Sequence, residues 1–548
     1  MTQLHTTFGL ISSQIISVTS ARFSPIITII LSQIIVKRNS NPPFIGNRAL
    51  SGRFGNHFLN WVCTEYAPAG AVDLVTYFFR RIFDLLKQGG FQALISTNTI
   101  AQGGAREAGL DVIIQAGGSI VFAVRSTPWP GRAALEVALL SIFKGHFSGV
   151  LHLNGKIAAR ITSYLDSDDT FGHPQRLAAN GGQSFQGSVV LGRGFVIDSS
   201  TAQQMTKVNP SCTEVLFPYL NGDDLNSRVD QSPSRWIINF GELGLDEARC
   251  QYPEPFNRVL KEVKPQRDLV KRRSYRENWW QFAERCPGLY RAIAPLKAVI
   301  VIAQVTKPVA FAFTDSRQVL DAKLVVIASS SAKVFAFLQS NLHHYWAWKY
   351  CTTLESRLSY TPTTIFETFP FPAGLSSSFE SKLEQIGEHY HEHRRQLMLK
   401  VQLGLTKTYN LFHDPEIGGT PGETTAWLTK HLASTPGTFS LDEAVAGIEK
   451  LRKLHVELDH AVLAAYGWDQ ISDAGPALDL GHSFHEVDYL PENDRVRFTI
   501  HPDARKEVLK RLLQLNHKLY AEEEAKGLHK KRPGKNKETD DNGQQPLL

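Results

Sequence analysis

The sequence predicts an α/β fold, and three observations carry that prediction. Apolar residues at Val75, Phe78, Phe79, Ile82, Leu85 and Leu86 draw a helical stripe across 73–88. Gly89 and Gly90 follow as a stop, because glycine tolerates the left-handed cap conformation, and 91–95 then reads as a buried strand. A second glycine pair, Gly117 and Gly118, precedes the apolar run 120–124, a Pro/Gly/Trp loop at 125–132 and a further apolar run at 135–143. Helix, glycine stop and short strand form the αβ unit of a doubly wound sheet, and the last two runs read as a hairpin closing it.

The remaining elements follow in order. The first forty residues are rich in Ser, Thr and Ile, with a possible buried strand at 26–36. A looser Gly/Asn/Ser stretch at 172–187 separates the first unit from a second. Residues 188–370 mix strand-like runs at 189–191, 236–240, 298–303 and 324–327 with aromatic helices, and end at the prolines Pro370 and Pro372. Charged amphipathic helices are expected at 378–402, 440–465 and 504–525, and a polar tail beyond them.

Composition bounds the function. A chain of 548 residues suggests about three or four domains at roughly 150 residues each. The net charge of +6 is mild, so an anionic partner must be met by local basic clusters. Two exist: Lys261, Lys264, Arg267, Lys271, Arg272, Arg273 and Arg276, and the tail lysines from Lys526 onward. Five scattered cysteines without a C-x-x-C pair exclude a disulfide scaffold and a cysteine-rich zinc site, and fit a reducing cytoplasm. The most apolar N-terminal stretch, 25–36, is shorter than the about 20 residues of a membrane span. No membrane role is expected.

The sharpest local signal is Asn41-Pro42-Pro43-Phe44, directly after a possible strand. Alkylating an exocyclic amino group requires that its hydrogens be drawn away while the nitrogen attacks. The Asn41 side-chain carbonyl can accept one N–H, and the Pro42 backbone carbonyl, stiffened by its ring, can accept the other. Phe44 can stack on a base flipped out of a duplex. This chemistry needs neither a metal nor a titrating base. The same tetrapeptide is also what a proline turn closing a strand looks like.

Beyond this motif the sequence resembles the MmeI-like adenine-specific DNA methyltransferases of combined restriction–modification enzymes. The resemblance runs from about Asn41 to about Leu528. It is carried by NPPFIGNRAL (41–50), DLVTYFFRRIFDLLKQGG (73–90), STNTIAQGGAREAGLD (96–111) and STPWPGRAALEVALL (126–140). Collinear stretches continue with LFPYLNGDDLNSR (216–228), SPSRWIINF (232–240), HHYWAWKY (343–350), YTPTTIFETFPFP (360–372), GLTKTYNLFHDP (404–415), LHVELDHAVLAAYGW (454–468) and DLGHSFHE (479–486). The resemblance implies that Asn41, Pro42 and Phe44 are the catalytic motif, that S-adenosylmethionine is the donor, and that adenine N6 in double-stranded DNA is the acceptor. It implies an atypical segment at 1–40 and a partial Rossmann-like methyltransferase sheet over 41–150. A mixed α/β target-recognition domain over 151–372 and a helical C-terminal domain over 373–528 follow, with a basic and polar tail at 529–548. Family members carry an acidic nuclease domain, a helical connector and a glycine-rich cofactor loop upstream of the motif. None is visible before Asn41, so the expectation is a C-terminal portion of such an enzyme. Its cofactor-binding residues are then unassigned, and a separate polypeptide becomes a candidate source of the missing half.

DNA contacts can be nominated by chemistry. Glu355 and Arg357, two apart in a stretch that reads as extended, share a strand face. Glu can accept from cytosine N4 and Arg can bind guanine O6 and N7, so the pair suits one C·G base pair; a surface ion pair is the alternative. Lys271, Arg272 and Arg273, with Tyr275, Trp279 and Trp280 nearby, suit phosphate contacts, against a solvated helix face. Arg235 and Arg228 are further candidates. His389, His391 and His393 invite a metal reading, but a charged surface helix explains them better, because no third ligand is evident. The rival to an enzyme is a non-catalytic, sequence-specific DNA-binding remnant.

Overall fold

The computed structural model describes residues 37–40 (backbone alone), 42–67, 70–129, 135–167, 172–435, 437–491 and 494–529. The expected strand at 26–36, Asn41 and the tail beyond His529 lie outside these residues. Strands β1 (Lys37–Ser40), β2 (Phe91–Thr97), β3 (Gly118–Pro128), β4 (Glu136–Lys144), β5 (Leu151–Leu153) and β6 (Lys156–Ala158) form one sheet in the order β1-β2-β4-β3-β5-β6. Strands β1 and β2 are parallel, whereas β4 is antiparallel to both β2 and β3. The C-terminal ends of β1, β2 and β3 therefore lie at the same end of the sheet. The β5–β6 hairpin carries this sheet past the expected boundary at 150.

The expected helix at 73–88 spans Leu74–Leu85 with Asp73 at its N-cap. Its Val75, Phe79, Ile82 and Phe83 pack with Leu94, Ile120, Leu140 and Ile142 across the sheet face. The second glycine pair has a physical cause. Gly117 adopts φ +84°, and a Cβ on Gly118 would lie 2.7 Å from Ile113 Cγ2 and 2.8 Å from its carbonyl oxygen.

The second unit holds β7 (Ser184–Gln186), β8 (Val196–Ile197), β9 (Leu216–Leu220), β10 (Arg235–Ile238), β11 (Ala298–Ala303), β12 (Val305–Thr306), β13 (Ala312–Asp315), β14 (Val319–Leu320) and β15 (Leu324–Ile327). These form two four-stranded sheets, β14-β9-β10-β8 and β13-β11-β15-β7. Hairpin strands β16 (Thr352–Leu354) and β17 (Arg357–Ser359) join β12 in a third. The run expected at 189–191 is no strand; Val189 makes only a single bridge to Glu284.

Two expectations about organisation are corrected. The 172–187 stretch is not a loose separator, because buried Asn180 donates to the carbonyls of Phe366 and Phe369, and β7 pairs with β15. Nor do the C-terminal helices stand apart. Helices Ser377–Val401, Leu441–Ala465 and Pro502–Ala525 share one apolar core with Ile300, Phe311, Phe335, Trp346 and Tyr360 of the preceding unit. Polar anchors lock the joint: Asn516, fully buried, donates to the carbonyls of Gln175 and Thr368, and Glu523 accepts from the N–H groups of Ala178 and Ala179. Among the described residues no helix is long and apolar enough to cross a membrane.

Candidate functional site

The motif leaves the C-terminal end of β1. Pro42 is buried and Phe44 half-buried, while Asn41 falls outside the described residues. The segment after it is tied down by backbone and by one carboxylate. Leu74 N–H donates to the Ile45 carbonyl at 2.9 Å, and Asp73 accepts from Asn47 N–H at 3.1 Å and from Thr99 Oγ1 at 3.3 Å. Asp73 thus joins the helix after the motif, Asn47–Glu65, to the loop after β2.

The Phe44 and Trp129 rings meet in a T-shaped pair, with centroids 6.4 Å apart and planes at 84°. Trp129 follows β3, whose C-terminal end lies beside those of β1 and β2. Ligands of α/β sheets bind at the carboxyl ends of strands, and this aromatic corner occupies that end. Sequence reasoning missed Trp129, which it read only as part of a hairpin loop. Working out the strand directions of that hairpin was the signal that could have found it.

The β16–β17 hairpin reaches the same end. Thr353 N–H donates to Gln102 Oε1 at 2.8 Å, and Thr353 Oγ1 accepts from Asn98 Nδ2 at 3.2 Å and from Gln102 Nε2 at 3.1 Å. The structure therefore brings together the motif, the loop after β2 and the hairpin bearing Glu355 and Arg357. Those two residues do not lie on one strand face as expected. Glu355 occupies the turn at φ +56°, and Arg357 Nη2 pairs with its Oε2 at 2.9 Å, both side chains exposed.

The other nominated cations lie apart from the motif in sequence and in sheet. Arg235, on β10, is exposed with its guanidinium 5.9 Å from the Tyr219 ring. Arg228 pairs with Asp230 and donates to Ser232. The 261–276 run is largely neutralised internally. Arg272 pairs with Glu284 at 2.8 Å, Arg273 with Glu277 at 2.6 Å and Lys264 with Asp268 at 2.7 Å. Arg267 is buried against the carbonyls of Val190, Leu191 and Gln281, and Arg276 donates to those of Val270 and Lys271. Lys271 itself is exposed. Trp279 is a core residue, and half-buried Trp280 packs against that core and donates to the Leu243 carbonyl.

The histidine triplet is also more structural than its sequence suggested. His391 packs edge-on against Phe313 and Phe335, and burial pushes its pKa down to about 3. His393 Nε2 lies 2.9 Å from the Gly447 carbonyl oxygen, leaving only His389 exposed.

Comparison with known proteins gives these features a context. Residues 34–145 match the family model described as the MmeI DNA-methyltransferase domain, and residues 183–373 match the MmeI target recognition domain. The fold is similar to that of the type IIL restriction–modification enzyme MmeI, solved in complex with DNA, with a TM-score of 0.63 and 18% identity over 90% of this chain and 58% of that one. This chain thus spans less than two thirds of MmeI. Weaker similarity extends to the DrdV–DNA complex (TM-score 0.33, 9% identity, 80% of this chain and 58% of that one). It extends also to the type IIG restriction endonuclease BpuSI (TM-score 0.25, 10% identity, 80% of this chain and 56% of that one). No curated protein matches the chain. With a methyltransferase-domain match and a recognition-domain match that together span more than half of it, the chain belongs to the MmeI-like restriction–modification family.

Proposed function

We propose that this chain acts as a site-specific DNA adenine-N6 methyltransferase. The observation that carries the reading is the aromatic corner of Phe44 and Trp129 beside Pro42, at the end of the sheet where the hairpin bearing Glu355 and Arg357 docks. An adenine turned out of the duplex stacks on Phe44 and abuts Trp129. The Asn41 side-chain carbonyl and the Pro42 carbonyl accept the two hydrogens of its amino group, which orients the nitrogen for attack. Asp73 positions this segment by holding Asn47 and Thr99 together. Base contacts at Glu355 and Arg357 and phosphate contacts at Arg228, Arg235 and Lys271 hold the duplex in register.

The donor in this reading is S-adenosylmethionine, which supplies an electrophilic methyl group. Among the described residues, the polar side chains at this end of the sheet bond to one another, and none stands out as a dedicated ligand for it. Asp73 is engaged by Asn47 and Thr99, and Asn98 and Gln102 are engaged by Thr353. No residue of the chain is therefore assigned to the donor.

Transfer of labelled methyl from S-adenosylmethionine to mixed-sequence duplex DNA tests the proposal. The parent chain should incorporate label, and Asn41→Ala should lose about 10²–10³-fold while melting at the same temperature, as when a single hydrogen-bonding group is taken from a polar active site. Undiminished transfer by Asn41→Ala contradicts the assignment.

A second reading draws on the single core that joins the recognition unit to the helices. In it the chain binds DNA sequence-specifically without catalysis. A folded parent chain that shifts duplex DNA without donor, and never incorporates label, selects this reading.

A further inference from the structure

The β16–β17 hairpin is built to be held from outside. Its strands are three residues each, and among the described strands β16 pairs with β17 alone, which leaves it at the edge of its sheet. An unpaired edge N–H must find an acceptor or be solvated. Thr353 N–H finds Gln102 Oε1, a side chain from the loop after β2 that takes the place of a neighbouring strand. The same amide, through Nε2, and Asn98, through Nδ2, converge on Thr353 Oγ1, so that three residues close one polar knot.

Both ends of this knot lead to function. On one side Thr353 stands beside the turn that presents Glu355 and Arg357 to solvent. On the other, Gln102 N–H donates to the Thr99 carbonyl at 2.9 Å. Thr99 Oγ1 donates to Asp73, and Asp73 holds Asn47 N–H just after the motif. A continuous run of hydrogen bonds therefore connects the hairpin to the segment bearing Pro42 and Phe44.

We infer that Gln102, Asn98 and Thr353 form a clamp that fixes the offset between the base pair read by the hairpin and the adenine held by the motif. The inference rests on the methyltransferase reading for its chemistry, but the clamp itself can be judged separately. Gln102, Asn98 and Thr353 are positioning residues. Loosening them moves the hairpin relative to the motif without removing any group that touches DNA.

The test compares the full chain with Gln102→Ala, which deletes both amide contacts, and Gln102→Glu, which keeps an acceptor for Thr353 N–H. Hydrogen exchange of the 352–359 amides should quicken at least about tenfold in Gln102→Ala and return toward the parent in Gln102→Glu, since a lost partner exposes the edge to opening. Sequencing of methylated mixed-sequence DNA should show one offset between read pair and modified adenine in the parent, and several in Gln102→Ala. Its kcat should fall about 10²-fold, as small misplacements of reacting groups do, while the Kd for DNA changes less than about threefold. Unchanged exchange overturns the clamp. So does a parent-like kcat with a single offset, or a loss of DNA binding that matches the loss of kcat. If the parent transfers no methyl at all, the transferase reading fails, and the exchange measurement alone sustains or overturns the clamp.

Discussion

Phe44 and Trp129 meet edge-on although one follows β1 and the other β3. Each is half-buried, so truncating either removes a stacking surface without opening the core. Stacking of a base on an aromatic ring contributes about 1–3 kcal/mol, which is roughly 5- to 150-fold in transfer efficiency. Phe44→Ala and Trp129→Ala should each lose transfer within that range at unchanged melting temperature. Parent-like kcat/KM in Trp129→Ala would remove it from the base site. At this scale the sequence disclosed what is contiguous. The tetrapeptide offered a chemical reading because the roles proposed for it fall on neighbouring residues, whereas Trp129, Asp73 and Gln102 come to this end of the sheet only through strand order. Glu355 and Arg357 were legible as a pair, but their two-residue separation reads equally as a strand or as a turn, and the positive φ of Glu355 is invisible in its residue type.

Elements were legible where their period was strong. The helices expected at 378–402 and 440–465 appear as Ser377–Val401 and Leu441–Ala465, and the apolar runs 298–303 and 324–327 are β11 and β15. Charge runs misled, because sequence does not show which carboxylates will pair with them. The basic run around Lys271 looked like a phosphate-binding face, yet Arg272 and Arg273 are matched by Glu284 and Glu277. Replacing Lys271, Arg272 and Arg273 together with Ala should therefore reduce the slope of log K for DNA against log salt by less than the about three units expected of three free phosphate contacts. Gel shifts at several salt concentrations check this. A reduction of about three units would mean that DNA displaces both carboxylates.

At the scale of the whole molecule, the recognition unit and the C-terminal helices are held by a core that sequence could not assign, because it is assembled from segments as distant as Ile300 and Leu513. His343 lies inside it, fully buried beside Phe311, Tyr360 and Phe369, and burial holds its pKa down to about 3. Unfolded histidine takes up a proton near pH 6.5, and folded His343 does not. Its contribution is therefore complete above about pH 6.5 and is lost as pH falls toward 3, amounting to about 2 kcal/mol at pH 5. His391, pushed down to about 3, acts in the same direction over the same range, whereas buried Asp459, whose pKa is lowered from the ordinary carboxylate value, adds a cost only below about pH 4. The melting temperature should fall between pH 7 and pH 5, and His343→Phe should flatten the fall. A parent chain equally stable at both values would contradict this account of the core.

The proposed chemistry is decided by which atom is methylated. The most direct measurement digests duplex DNA to nucleosides after incubation with the chain and S-adenosylmethionine, and identifies the product by mass spectrometry. N6-methyldeoxyadenosine from the parent chain, absent with Asn41→Ala, is the predicted result. Methylated cytosine, or N6-methyldeoxyadenosine in equal yield from both proteins, would contradict it.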